Sequence, residues 1–143
     1  MRSFSLVLLR RLLLRTSGPP SSNGPPPTLY DQLPSNTLSS IERLLLHSVA
    51  HEPTSVVRRK AVDTVIDVAN KSMQRGRPWH ALQVQAFGMA QADEGARESA
   101  YLIFAGCTDL VLDLQTSGVL ELLQKGLQDS SSVDVRGLIS HFF

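Results

Sequence analysis

Arg59, Asp63 and Asp67 stand at four-residue steps in the segment VRRKAVDTVIDVAN. On an α-helix that spacing lines one cation and two carboxylates along a single stripe, where they can pair with each other or read a charged partner. His47 and His51 share the interval, which can aim two imidazoles at one metal ion, but no acid or cysteine falls at ligand spacing beside them. A solvated helix face is the expectation for that pair, and no metal site is expected. The single cysteine, Cys107, lies between Phe104 and Leu110, the setting of a small buried hydrophobe rather than of a thiol nucleophile activated by His141. No glycine-rich phosphate loop follows a strand. With no acid/base pair or nucleophile that a pocket would hold, neither catalysis nor a cofactor is expected.

The elements that must carry these residues repeat. Arg58, Arg97 and Arg136 each follow a small or branched apolar residue and recur at two equal intervals of 39 residues. Three positions after each stands Ala61, Ala100 or Ile139, and seven positions after stands Val65, Phe104 or Phe143, which is one helical face. A period of about 40 with one such helix per copy is the mark of a two-helix solenoid repeat of HEAT type. Arg2, with Ser5 and Leu9 at the same offsets, reads as a fourth copy displaced by the Pro/Gly/Ser-rich stretch 17–34, which contains GPPSSNGPPP and is expected to be non-helical and mobile. The folded part is accordingly expected to begin near Leu33.

Composition agrees with an array. Hydrophobic residues make up 42% of the 143 and charged ones 19%, enough to bury a core, with no sign of a second domain. The net charge of +1 gives no general attraction to polyanions, so nucleic acid is not an expected partner. The charge is uneven: the first sixteen residues hold Arg2, Arg10, Arg11 and Arg15 and no acid. That acid-free amphipathic segment also has the properties of a mitochondrial presequence, but its register favours the second helix of a repeat. It is too short to span a bilayer, and no membrane is expected as a partner. One cysteine gives no disulfide framework, which suits a reduced intracellular protein.

Apolar periodicity, capping residues and prolines predict helices over 3–15, 35–51, 56–73, 79–91, 96–107 and 118–127, and another from about 133. Ser35 or Thr37, and Thr54 or Ser55, are the expected caps of the second and third; Pro53 ends the second, and Gly76 with Pro78 ends the third. Residues 109–113 read as a connection. The arginine-rich start of the third helix opposes the helix dipole, which implies carboxylate partners for Arg58, Arg59 or Lys60 on a neighbouring repeat. The fold class is all-α, a HEAT-type solenoid of antiparallel helix pairs. Its expected parts are the second helix of a partial repeat over 1–16, the loop 17–34, full repeats over 35–75 and 76–113, and a partial repeat over 114–143. An array cut inside a repeat at both ends should expose Leu6, Leu9, Leu13, Leu138, Phe142 and Phe143 and be poorly soluble alone.

The order of these segments resembles the N-terminal HEAT repeats of the importin-beta superfamily of nuclear transport receptors, most closely the importin beta-3 type. The resemblance is carried by RSFSLVLLRRLLLR, VVRRKAVDTVIDVAN, Pro78-Trp79, ARESAYLIF and GLQDSSSVDVR, which together cover most of the chain outside the proline-rich stretch. Departures are the order Pro78-Trp79 where the family has Trp-Pro, the insert 17–34, and the less apolar AFGMAQADEG. The resemblance implies a receptor that shuttles between cytoplasm and nucleus. Such a receptor binds cargo bearing a nuclear localisation signal, contacts Phe-Gly nucleoporins and releases cargo to Ran-GTP. It directs interest to Arg59, Asp63 and Asp67, and to Glu98 in ARESAYLIF, as partner-binding residues on second helices of the concave face. The alternative is a generic HEAT adaptor that does not bind Ran, with a mitochondrial helical protein as a lesser one.

Overall fold

The computed structural model describes residues 2–16, 24, 26–112, 124, 125 and 128. Among the described residues seven helices follow one another up to residue 112: α1 Arg2–Leu14, α2 Leu29–Gln32, α3 Ser35–His51, α4 Ser55–Gln74, α5 His80–Met89, α6 Glu94–Gly106 and α7 Asp109–Leu112. No strand occurs among the described residues; one isolated antiparallel bridge joins Thr16 to Thr28. The chain is thus an all-α helical repeat. The helices expected over 118–127 and from 133 fall largely outside the described residues, with only Gln124 and Lys125 seen in helix.

Two layers form. The first helices of the pairs, α3 and α5, lie on one side, and the second helices α1, α4 and α6 pack side by side on the other, with α3 on α4 and α5 on α6. The core runs between the layers through Leu45 and Val49 of α3, Ala61, Val62, Val65, Val68 and Ala69 of α4, Leu82 and Ala86 of α5, and Ala100, Ile103 and Phe104 of α6. Small residues at 61 and 69 let neighbouring helices come close to α4, which is covered from three sides. Phe87 and Phe104 stack tilted at 5.0 Å between ring centres and tie the second pair together.

The repeating arginine has a local cause. Arg58 Nη1 donates to the Glu52 carbonyl at 3.2 Å, and Arg97 Nη1 donates to the Ala92 carbonyl at 3.0 Å. In both pairs the arginine at the head of the second helix reaches back over the turn and satisfies a carbonyl orphaned at the end of the first. The signature is a turn staple. The turns themselves are set by local chemistry. Pro53 forces Glu52 out of helix, and Asp93 caps α6 by accepting from the Ala96 N–H at 2.9 Å. Gly76, at φ 68°, closes α4 in a Schellman motif, with the Gly76 N–H on the Met73 carbonyl at 3.0 Å and the Arg77 N–H on the Ser72 carbonyl at 2.9 Å. Neither serine nor threonine caps α3 by a side chain, because Pro34 is its N-cap; Thr54 occupies the N-cap of α4 without a side-chain bond.

Three expectations need correction. The folded part does not begin near Leu33. α1 packs on α4 with Leu13 2% exposed, and Tyr30, inside the stretch taken as non-helical, is 3% exposed on α2. Leu29 to Gln32 lie between the last proline of the PPP run and Pro34, so a single helical turn fits where proline itself is excluded. Asp31 then fixes it: the carboxylate accepts from the Thr28 N–H at 2.8 Å and from Arg75 Nε at 2.6 Å, with Lys71 at 3.5 Å. Residues 109–112, expected as a connection, form the helical turn α7, with Leu110 buried.

The third correction concerns which face of α1 is open. Leu13 is buried and Leu6 and Leu9 are packed against the core, whereas Phe4, Leu8 and Leu12 are 68%, 44% and 45% exposed. A helix apolar on most of its circumference does not announce which side its neighbour takes. Leu138, Phe142 and Phe143 lie outside the described residues.

Candidate partner-binding face

The outer side of the α1–α4–α6 layer carries the four residues singled out as partner-binding. Three of them are engaged across helices. Arg59 of α4 pairs through Nη2 with Oε1 of Glu98 on α6, and Arg10 of α1 pairs through Nε with Oδ2 of Asp67 on α4. Arg59 thus takes its carboxylate from the neighbouring repeat, as the charge at the start of its helix implied, and not from Asp63, which the four-residue spacing also allowed. Each second helix is laced to the next by one arginine and one acid, which answers the unfavourable charge at the start of α4. Arg59 and Glu98 each stand one position after a repeating arginine, so this pair was legible in the period. The Arg10–Asp67 pair was missed because the insert shifts α1 out of the 39-residue count.

Asp63 is the member left over. It is half-buried beside the two bridges and makes no ion pair among the described residues. Asn70, on the same side of α4, donates through Nδ2 to the Gly106 carbonyl at 2.9 Å. The arrangement offers a partner one uncompensated carboxylate set among neutralised pairs on a rigid three-helix surface.

A second polar cluster lies at the far end of α4. Arg77 pairs through Nη1 with Oε1 of Glu42, which is only 9% exposed, and stands 3.5 Å from Tyr30 Oη. Burial works against the charged guanidinium, but the bonds to Tyr30 and Glu42 outweigh it and hold Arg77 protonated more firmly than usual. Burial likewise pushes the Asp31 carboxyl up, yet the Thr28 N–H and hydroxyl, Arg75 and Lys71 together bring it down from 3.8 to about 2. These bonds fasten the exit of the insert to the end of α4, a structural clamp that sequence patterning gave no sign of.

Cys107 is fully buried, and that burial raises its thiol, the opposite of what a nucleophile needs. His141 lies outside the described residues. His47 and His51 stack at 4.3 Å between ring centres on an exposed face, with His51 Nδ1 3.1 Å from the His47 carbonyl. Among the described residues no three or more His, Cys, Asp or Glu are grouped to hold a metal ion, and no helix is long and apolar enough to cross a membrane.

Residues 53–138 match the family model described as IPO5-like, TPR repeats. The chain belongs to that family, and its helix pairs are importin-beta-like repeats. The 39-residue interval sits in the HEAT range rather than at the roughly 34 residues of a tetratricopeptide pair. No curated protein matches the chain significantly. No solved structure does either.

Proposed function

We propose that this chain is a protein-binding segment of a nuclear transport receptor, of the importin beta-3 type, and that its layer of second helices contributes to recognition of Ran-GTP. It acts by binding and not by catalysis. Cargo bearing a nuclear localisation signal and Phe-Gly nucleoporins would be engaged by the receptor as a whole, which moves between cytoplasm and nucleus. The observation that carries the reading is the unpaired Asp63 on α4, inside the stretch matched by the family model and facing out from a layer fixed by the Arg10–Asp67 and Arg59–Glu98 bridges. On this reading Arg59, Asp67 and Glu98 hold the surface in shape, and Asp63 makes the contact.

One observation favours the generic adaptor instead: three of the four candidate residues already have partners within the chain. Titrating the chain with Ran loaded with GTP or GDP separates the two. Preference for the GTP form, weakened in Asp63→Lys, supports the receptor; equal or absent binding in both states supports the adaptor. The presequence alternative is disfavoured by the burial of Leu13 and the pairing of Arg10, since an import signal must be free to be read. A reporter fused to residues 1–34 that stays out of mitochondria is the expected result.

A further inference from the structure

His47 and His51 stand in the last two turns of α3, and both are exposed. Their four-residue spacing alone describes a solvated face, but three observations go further. The rings lie 4.3 Å apart between centres and within 23° of parallel, so both imidazoles already share one patch of surface. His51 Nδ1 stands 3.1 Å from the His47 carbonyl, which can only accept, so Nδ1 carries the proton and the neutral ring keeps its lone pair on Nε2. A ring N–H given to a backbone carbonyl is how metal-bound histidines are ordinarily held in place. Finally, the pair sits at the C-terminal end of a 17-residue helix, where the negative pole of the helix and its last carbonyls favour a cation.

The geometry is within reach of coordination. Metal–nitrogen bonds of about 2.0–2.1 Å at a tetrahedral angle set two imidazole nitrogens roughly 3.3 Å apart. Rings with centres at 4.3 Å come to that separation when exposed His47 turns about its side-chain bonds, and the helix backbone need not move. Among the described residues no third protein ligand joins them. Glu52, next along the chain, is held by Arg2 at 3.3 Å and by the Thr54 N–H at 3.2 Å, and Arg43, one turn before His47, is itself a cation. Two nitrogen ligands and no carboxylate select against Ca2+ and Mg2+, which require oxygen, and for the transition metals that favour imidazole.

We propose that His47 and His51 form a two-imidazole chelate for a divalent transition-metal ion, Cu2+ more tightly than Zn2+, with the remaining coordination positions open to water. The site lies on a first helix, apart from Asp63, and does not depend on Ran recognition. Calorimetric titration of the whole chain with Cu2+ and with Zn2+, in a non-chelating buffer at about pH 7.5 where free imidazole is mostly neutral, tests it. One tight site per chain is expected, with Cu2+ ahead of Zn2+ and no response to Mg2+. H47Q and H51Q should each weaken that site at least about tenfold, because the second imidazole acts at the high local concentration its neighbour provides. H80Q and H141Q, which remove the other two histidines, should leave it unchanged. Both α3 substitutions are at exposed positions, and an unchanged circular dichroism spectrum establishes that each variant is folded. Binding of neither metal, a site of full affinity remaining in either H47Q or H51Q, or an equal loss in H80Q or H141Q would overturn the proposal.

Discussion

Two helical glycines make opposite predictions for one substitution. A methyl group added at Gly106, the last residue of α6, would stand 2.6 Å from Cγ2, 2.7 Å from Cδ1 and 3.0 Å from Cγ1 of Ile66 on α4. Ile66 is β-branched and held in a helix, so its first torsion has essentially one good setting and cannot swing clear. The helices must then move apart, which also stretches the Asn70 bond to the Gly106 carbonyl. Overpacking of this kind costs about 1–3 kcal/mol, while replacing glycine by alanine in a helix contributes about 0.5–1 kcal/mol in the other direction. Gly106→Ala should therefore destabilise by about 1–2 kcal/mol, a fall in melting temperature of roughly 4–8 °C for a chain of this size. At Gly88, in α5, the added methyl meets nothing within 4 Å, so Gly88→Ala should stabilise by up to about 1 kcal/mol. Ile66→Ala removes all three obstructing carbons, and the Ile66→Ala, Gly106→Ala double variant should be less damaging than the sum of its parts by about 1–2 kcal/mol. Urea unfolding of the four variants beside the unsubstituted chain measures each quantity. If Gly106→Ala stabilises as Gly88→Ala does, or if the double variant is additive, α4 and α6 are not in the contact described and the layer is wrongly drawn.

Two further outcomes follow from α1 and from the clamp on the insert. Leu13→Ala should cost about 2–4 kcal/mol because the site is closed on all sides, whereas Leu8→Ala should cost under about 0.5 kcal/mol; equal losses in thermal melts would place α1 the other way round. Asp31 has a folded-state value near 2 against 3.8 ordinarily, so its contribution is complete above about pH 4 and disappears as the pH falls through 2. Allowing for its partial exposure, Asp31→Asn should lose about 1 kcal/mol at pH 6 and almost nothing near pH 2, and a deficit that does not vary with pH would show that the carboxylate charge is not what secures α2.

The two-helix period was readable because three arginines and their apolar followers keep one interval, and at Arg58 and Arg97 the interval reflects a real contact, the bond from the head arginine to the preceding turn. Helix ends were equally readable where proline or glycine dictates them, as at Pro53 and Gly76. What patterning could not supply was anything that depends on which helix lies beside which. The open face of α1 was assigned to Leu6, Leu9 and Leu13 because its leucines surround the helix almost evenly. Tyr30 and Asp31 were passed over because their partners, Arg77 and the pair Lys71 and Arg75, lie more than forty residues onward in sequence or close to it, and no local rule links them. At the candidate face the stripe Arg59, Asp63 and Asp67 was found by spacing, but only the three-dimensional pairing separates the two residues that bridge helices from the one that does not.

The central claim is that a partner reads the α4 surface around Asp63. Hydrogen exchange of the chain with and without Ran-GTP tests it most directly. The account predicts slowed exchange over residues 59–70 of α4, with α3 and α5 unchanged, and no such slowing with Ran-GDP. Protection confined to α3 and α5, or the same pattern with either nucleotide, would contradict it.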